Sequence, residues 1–151
     1  MDVTGYRSFV GKILFAMKKT YPELANAARE LSSHMENPGE EHWKSIGHMV
    51  GYLKHEAEHG LRFNRPKDLT IVSIVDSDFA TNMDTRKSTT GYLVTVGSCH
   101  VSWMSKAQPS VTLSSTEAEY VAASMCAMEI KFITMLMEEV GISYPRNASR
   151  G

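Results

Sequence analysis

The chain holds only two cysteines, Cys99 and Cys126, among 151 residues. That excludes a disulfide-stapled scaffold and points to a reducing compartment with two ordinary buried thiols. No apolar run approaches the roughly 18 residues of a membrane span, and the N-terminus has no apolar core of a signal peptide. The expectation is an intracellular chain, cytoplasmic or nuclear, not secreted and with no membrane partner. The glycosylation sequon Asn147-Ala148-Ser149 is then a chance match. Neither sign of charge is in excess: 16 Lys and Arg stand against 17 Asp and Glu, for a net charge of −1. Residues 1–68 carry 10 basic and 9 acidic side chains (+1), and residues 69–151 carry 6 and 8 (−2). Neither half is a strongly basic nucleic-acid module, so binding of nucleic acid by this piece alone should be weak and salt-sensitive. The ten glycines are scattered and form no phosphate-cradling loop. No G-x-S-x-G elbow is present, and there is no internal repeat or low-complexity tract.

What is present is enough to build a core. Hydrophobic residues make up 42% and charged residues 22%, ordinary values for a globular chain. Residues 1–63 read as helical. Tyr6, Phe9, Val10, Ile13, Leu14 and Met17 recur at helical spacing. Tyr21-Pro22 breaks that run, and Ala25, Ala28, Leu31 and Met35 line a second helix. Asn37-Pro38-Gly39 is a stop. A third helix is expected over residues 40–59, with Trp43, Ile46, Val50 and Leu53 on its apolar side and Gly60 as its C-terminal cap.

Residues 64–68 are polar, contain Pro66 and read as a linker. Residues 69–75 are rich in β-branched side chains and nearly continuously apolar, which predicts a strand buried on both faces. Residues 92–96 and 100–104 read as two further strands joined by a Gly97-Ser98 hairpin turn. A long helix starts at Ser114, runs to about Glu139 and ends at Gly141. Met125, Met128, Met135 and Met137 on it are expected to fill core, and residues 142–151 form a polar, flexible tail. The fold class expected is α+β or α/β.

Carboxylates mark the ends of these elements. Asp76 lies where the first strand ends, and an ionised carboxylate there is costly without a positive partner. Ser114 and Glu117 have the three-residue spacing of a capping box, which gives Glu117 a structural role. Glu119 falls on the helical face of Ala122, Ala123, Cys126, Ile130 and Ile133. From there it would point toward the end of the neighbouring strand. Two carboxylates converging there would repel unless a cation sat between them, and Mg²⁺ suits such an oxygen-only site.

Four strings carry a resemblance: Asp76-Ser77-Asp78-Phe79-Ala80, Arg86-Lys87-Ser88-Thr89-Thr90-Gly91-Tyr92, Ser102-Trp103-Met104-Ser105-Lys106 and Leu113-Ser114-Ser115-Thr116-Glu117-Ala118-Glu119-Tyr120. In this order and spacing they resemble the ribonuclease H region of copia-type retrotransposon Pol polyproteins. Tyr6-Arg7-Ser8, Leu31-Ser32, Asn37-Pro38, His42-Trp43-Lys44 and Tyr52-Leu53-Lys54 resemble the end of the reverse transcriptase that precedes it. The likeness covers about Thr4 to Gly141. It implies a mixed sheet with helices against it and a two-Mg²⁺ site that hydrolyses the RNA strand of an RNA–DNA hybrid. Asp76 matches the first-strand metal ligand and Glu119 the first-helix ligand. Asp78 and Glu117 match as flanking residues.

The resemblance also implies parts without a counterpart here: a third carboxylate on a fourth strand, a fifth strand and a last helix. The reading is therefore a helical reverse-transcriptase tail (1–63), a linker (64–68), a truncated ribonuclease H-like domain (69–141) and a tail. Such a chain is expected to be catalytically incomplete, with the rest of Pol or a second copy as possible partners. The alternative is a non-catalytic nucleic-acid or protein interaction module that keeps the fold. Phe79 stands where the family has tryptophan, and Thr81 lies near a family glycine. Arg86 and Lys87 are candidates for contact with a nucleic-acid backbone. His55-Glu56-Ala57-Glu58-His59 matches the zinc-protease pattern H-E-x-x-H, but at a fraying helix end without a third ligand.

Overall fold

The structure, a computed structural model, describes residues 2–80 and 86–145. The chain divides into two compact units, Met1–Leu61 and Arg62–Gly151. Among the described residues the first holds helices only, and the second holds three strands followed by one long helix. The fold is α+β.

In the first unit α1 spans Val3–Lys19, α2 Ala25–Ser33 and α3 Glu40–His55, with a 3-10 turn at Pro22–Leu24. Asp2 caps α1, its carboxylate accepting from the Gly5 N–H at 2.8 Å, which satisfies one of the orphan donors of the first turn. Tyr6, Val10, Ile13 and Met17 form the buried stripe of α1. Leu24, Ala28, Leu31 and Ile46 meet them. Tyr6 ties all three helices together. Its hydroxyl donates to the Leu31 carbonyl at 2.9 Å, and its ring meets Trp43 edge-on at 5.6 Å between centroids. The Arg7 side chain donates to the Met35 carbonyl at 2.8 Å and so secures the end of α2.

The expected third helix is one turn too long. It ends at His55, with the Glu56 N–H closing on the Tyr52 carbonyl at 2.9 Å and a further turn formed by the His59 N–H on the Glu56 carbonyl. Gly60 does not cap it. The Tyr21 hydroxyl takes the Glu56 carbonyl at 3.2 Å, so this end is fastened by a side chain.

In the second unit β1 (Ile71–Asp78), β2 (Thr89–Val96) and β3 (Cys99–Ala107) form an antiparallel sheet in the order β1-β2-β3. Asp76 pairs with Gly91 and Ser77 with Thr90; Thr90 pairs in turn with Lys106. The hairpin turn falls on Gly97 and Ser98, both with positive φ, as a two-residue turn requires. A side chain at Gly97 would collide with Pro66 and with the Asp68 carbonyl oxygen, 2.5 and 2.7 Å from a built Cβ. The segment before β1 is thus held against this turn. The Gly97 N–H also binds the Thr70 carbonyl at 2.9 Å.

α4 spans Ser115–Glu139 and lies against β1 and β2. Ala118, Ala122, Cys126 and Met137 are its buried residues. The small side chains let the helix approach the sheet closely. Gly141, at φ +74°, terminates it, and the Ile142 N–H reaches back to the Met137 carbonyl at 2.8 Å, the pattern of a glycine C-cap. Burial raises the Cys126 thiol pKa against a lowering hydrogen bond to Ser73. It raises the Tyr92 phenol as well, with Glu129 adding to the effect.

Two expectations fail here for one reason. β1 is not buried on both faces: Val72 is 54% and Ile74 65% exposed. α4 covers only the face carrying Ser73 and Tyr92, β1 is the edge strand of the sheet, and no layer lies over the other face among the described residues of this unit. Likewise Met128 and Met135 are exposed and do not fill core, as are Phe132, Leu136 and Val140, whereas Met137 is buried. α4 is apolar around most of its circumference. By length and composition alone it is the one helix among the described residues that could cross a membrane; here it packs on the sheet. The expected tail falls largely on residues 146–151, and the family glycine position at Thr81 falls within 81–85; both lie outside the described residues.

Candidate metal centre

Asp76 sits near the C-terminal end of β1. Alternation along the strand turns Ser73, Val75 and Ser77 toward α4 and leaves Asp76 on the other side. Its carboxylate accepts from the Ser77 N–H at 2.9 Å and is solvent-exposed. Asp78 is also exposed, two residues further along the same face.

Glu117 and Glu119 stand in the opening turns of α4. The capping expectation holds for Glu117 with one difference in partner. Ser114 Oγ accepts from the Glu117 N–H at 3.1 Å, while Glu117 Oε2 accepts from the Leu113 N–H, one residue before the cap. Glu117 is thereby occupied with helix initiation. Glu119 is solvent-exposed, and Ala123 is exposed with it. The buried face is instead Ala118, Ala122 and Cys126, rotated by one residue from the face expected. Glu119 lies at the margin of that face, free of a capping role.

The structure therefore places Asp76 and Glu119 on two elements that pack together. Among the described residues no group of three or more His, Cys, Asp or Glu side chains is arranged to hold a metal ion. As a donor set the two exposed carboxylates offer oxygen only. That chemistry fits Mg²⁺, which keeps several waters and takes one or two carboxylates together with substrate phosphate. It does not fit a closed zinc cage.

Sequence reasoning missed what joins the two elements. Gln108, just past β3, is 1% exposed. Its amide nitrogen donates to Thr90 Oγ1 at 3.0 Å and to the Ala118 carbonyl at 2.9 Å. The Ser88 carbonyl accepts from the Gln108 N–H at 2.8 Å. Ser88 Oγ pairs with Thr112 Oγ1 at 2.7 Å and accepts from the Ala80 N–H at 3.1 Å. This buried network links the ends of β1, β2 and β3 to the start of α4. Polar residues in loops carry no periodicity; Ser88 and Thr90 lie within a resembling string, whereas only proximity to those strings could mark Gln108 and Thr112.

Arg86 is exposed with φ +55°, and Lys87 is half-buried. The H-E-x-x-H pattern does not form a zinc site. The helix stops at His55, so His59 leaves the helical face a shared metal would need, and Glu56 lies between the two histidines in contact with both.

A second surface escaped the sequence reading. α1 carries Arg7, Lys12, Lys18 and Lys19 and no acidic residue. Ser8, Lys12, Phe15 and Lys19 fall on one exposed stripe at helical spacing. Lys12 lies 5.1 Å from the centre of the Phe9 ring and Lys19 5.8 Å from that of Phe15. Gly11 beside them leaves open space within 4 Å of where a Cβ would be.

Comparison with known proteins agrees with the resemblance to copia-type Pol polyproteins. Over roughly 140 residues the chain is homologous to a region of copia-type retrotransposon Pol polyproteins. It is 39% identical over 137 residues to the "Retrovirus-related Pol polyprotein from transposon TNT 1-94" of Nicotiana tabacum, covering 91% of this chain and 10% of that one. It is 36% identical over 141 residues to the corresponding polyprotein from transposon RE2 of Arabidopsis thaliana, covering 93% and 10%. It is also 38% identical over 130 residues to "Secreted RxLR effector protein 161" of Plasmopara viticola, covering 86% of this chain and 92% of that protein. The chain thus spans about a tenth of the length of the Pol polyproteins it matches. No family model and no solved structure matches it.

Proposed function

We propose that this chain is the junction of reverse transcriptase and ribonuclease H in a copia-type Pol polyprotein, and that Asp76 and Glu119 are ligands of its Mg²⁺ site. The observation that carries the reading is the pairing of elements. β1, with Asp76 near its end, packs against α4, which carries Glu119 in its opening turns, and Glu117 is already engaged as the cap. When bound, the metal ions supply an activated water and stabilise the leaving oxygen as RNA in an RNA–DNA hybrid is cut. The chain's own part is to hold two carboxylates at the margin of the sheet, open to water and to a phosphodiester. Arg86 and Lys87, in the same unit, add positive charge for the strand being bound. Offering two of the family's carboxylates, the purified 151-residue chain should cleave slowly or not at all. The test is Mg²⁺-dependent cleavage of a labelled hybrid at high protein concentration, with Asp76→Asn as control. Cleavage abolished by the substitution supports the assignment and shows that two ligands suffice. Cleavage that survives it removes Asp76 from the site.

The basic, aromatic stripe of α1 favours a second reading, nucleic-acid binding without chemistry. Lysines over phenylalanine rings beside an open glycine suit a duplex backbone approached closely by a helix. The triple variant Lys12→Ala, Lys18→Ala, Lys19→Ala should weaken hybrid binding and flatten its salt dependence by about 2 to 3 in the log–log slope. An unchanged slope would remove α1 from the interface.

A further inference from the structure

We infer that Gln108 is a positioning residue that sets the placement of Glu119 relative to Asp76; this rests on the metal-ligand reading above. Gln108 is buried, and one amide group joins two elements. It binds the carbonyl of Ala118, the residue just before Glu119, and the hydroxyl of Thr90. Thr90 pairs across the sheet with Ser77, the residue just after Asp76. The path from one carboxylate-bearing backbone to the other is therefore Ala118, Gln108, Thr90, Ser77. Every step is a hydrogen bond or a sheet rung.

Two orphaned atoms lie along the same path. Ser77 Oγ and Gln108 Oε1 are both buried without a partner. One can donate and the other only accepts, and both belong to residues that flank Thr90. Burial of such atoms is costly when they stay unpaired. A glutamine kept there against that cost has a geometric role, and a leucine or methionine would fill the volume without it. The bridge acts on the helix backbone, so Gln108 need not touch a metal or a nucleic acid.

The test uses Mn²⁺ as the probe for the Mg²⁺ site, titrated into the full chain and followed by the paramagnetic resonance of free Mn²⁺. Thermal unfolding is recorded for each variant. Asp76→Asn and Glu119→Gln report on the ligand reading. Gln108→Met keeps the volume and deletes both donated bonds. Thr90→Val removes the far anchor and is the milder variant if Gln108→Met does not fold. The inference predicts that folded Gln108→Met loses about tenfold in Mn²⁺ affinity, the scale of supporting groups around metal ligands, with Thr90→Val intermediate. A merely structural glutamine would lower the melting temperature and leave Mn²⁺ affinity of the folded protein unchanged, which would overturn the inference alone. No Mn²⁺ binding by the unsubstituted chain, or binding that survives Asp76→Asn and Glu119→Gln, would overturn the ligand reading and this inference with it.

Discussion

The helical unit and the sheet unit solve the burial problem to different degrees. Residues 2–61 close a small core with local partners: Tyr6 alone reaches α2 through its hydroxyl and α3 through its ring. The sheet unit closes one side only. Ala118, Ala122, Cys126 and Val94 are buried between α4 and the sheet, while Val72 and Ile74 on one surface and Phe132 and Met135 on another face water. Amphipathic helices can shut a core with three short segments, whereas a sheet needs a layer on each apolar face. Among the described residues the sheet unit has one such layer, and its apolar composition exceeds what that layer buries.

This contrast can be broken or sharpened by substitution. The largest effect is expected at Tyr6→Ala. It removes a fully buried ring and a buried hydrogen bond and should cost about 3 to 5 kcal/mol, read as loss of amide protection across α1 to α3. A loss below about 1 kcal/mol would mean that the helical core is not closed as described. Next, Ala122→Leu should destabilise the sheet unit by about 1 to 3 kcal/mol through overpacking, seen as a lower urea midpoint. An unchanged midpoint would mean that α4 is loosely seated.

A smaller effect belongs to pH. The Cys126 thiol and the Tyr92 phenol are both raised above their ordinary values. Their neutral forms are favoured in the folded state, so their contribution is intact at neutral pH and is lost as pH rises through the unfolded-state thiol and phenol range, about 8.5 to 10. The urea midpoint of the sheet unit should fall between pH 8 and pH 10.5, and should fall less in Cys126→Ala. The smallest effect is expected at Ile74→Thr, within about 0.5 kcal/mol of neutral, with improved solubility because an exposed apolar edge is relieved. A loss above 1 kcal/mol would show that this face is covered in solution.

The same contrast explains what could be read from residue order. The helices of the first unit follow from 3.6-residue spacing, and the last turn expected of α3 is the exception. His55 to His59 look helical by composition, and the Tyr21 hydroxyl that fastens this end comes from 35 residues away. The positions of the strands follow from composition, but their lengths do not. Thr89-Thr90-Gly91 and Ser105-Lys106-Ala107 are polar, and only cross-strand pairing makes them β. The β-branched run at 69–75 signals a strand, but composition does not say how many layers cover it. For the site, Asp76 and Glu119 stand out because a carboxylate at an element end is conspicuous. Gln108, Ser88 and Thr112 do not, because their role exists only once loops 20 residues apart are brought together, as Ser88 and Thr112 are at 24 residues' separation.

The most direct test of the central claim is paramagnetic broadening of backbone amides by trace Mn²⁺ in the full chain. If Asp76 and Glu119 share one cation, the amides around Ser77 and those around Tyr120 broaden together at the same Mn²⁺ concentration. Both sets then recover in Asp76→Asn. Broadening confined to one element, or recovery of one set without the other, would contradict a shared site.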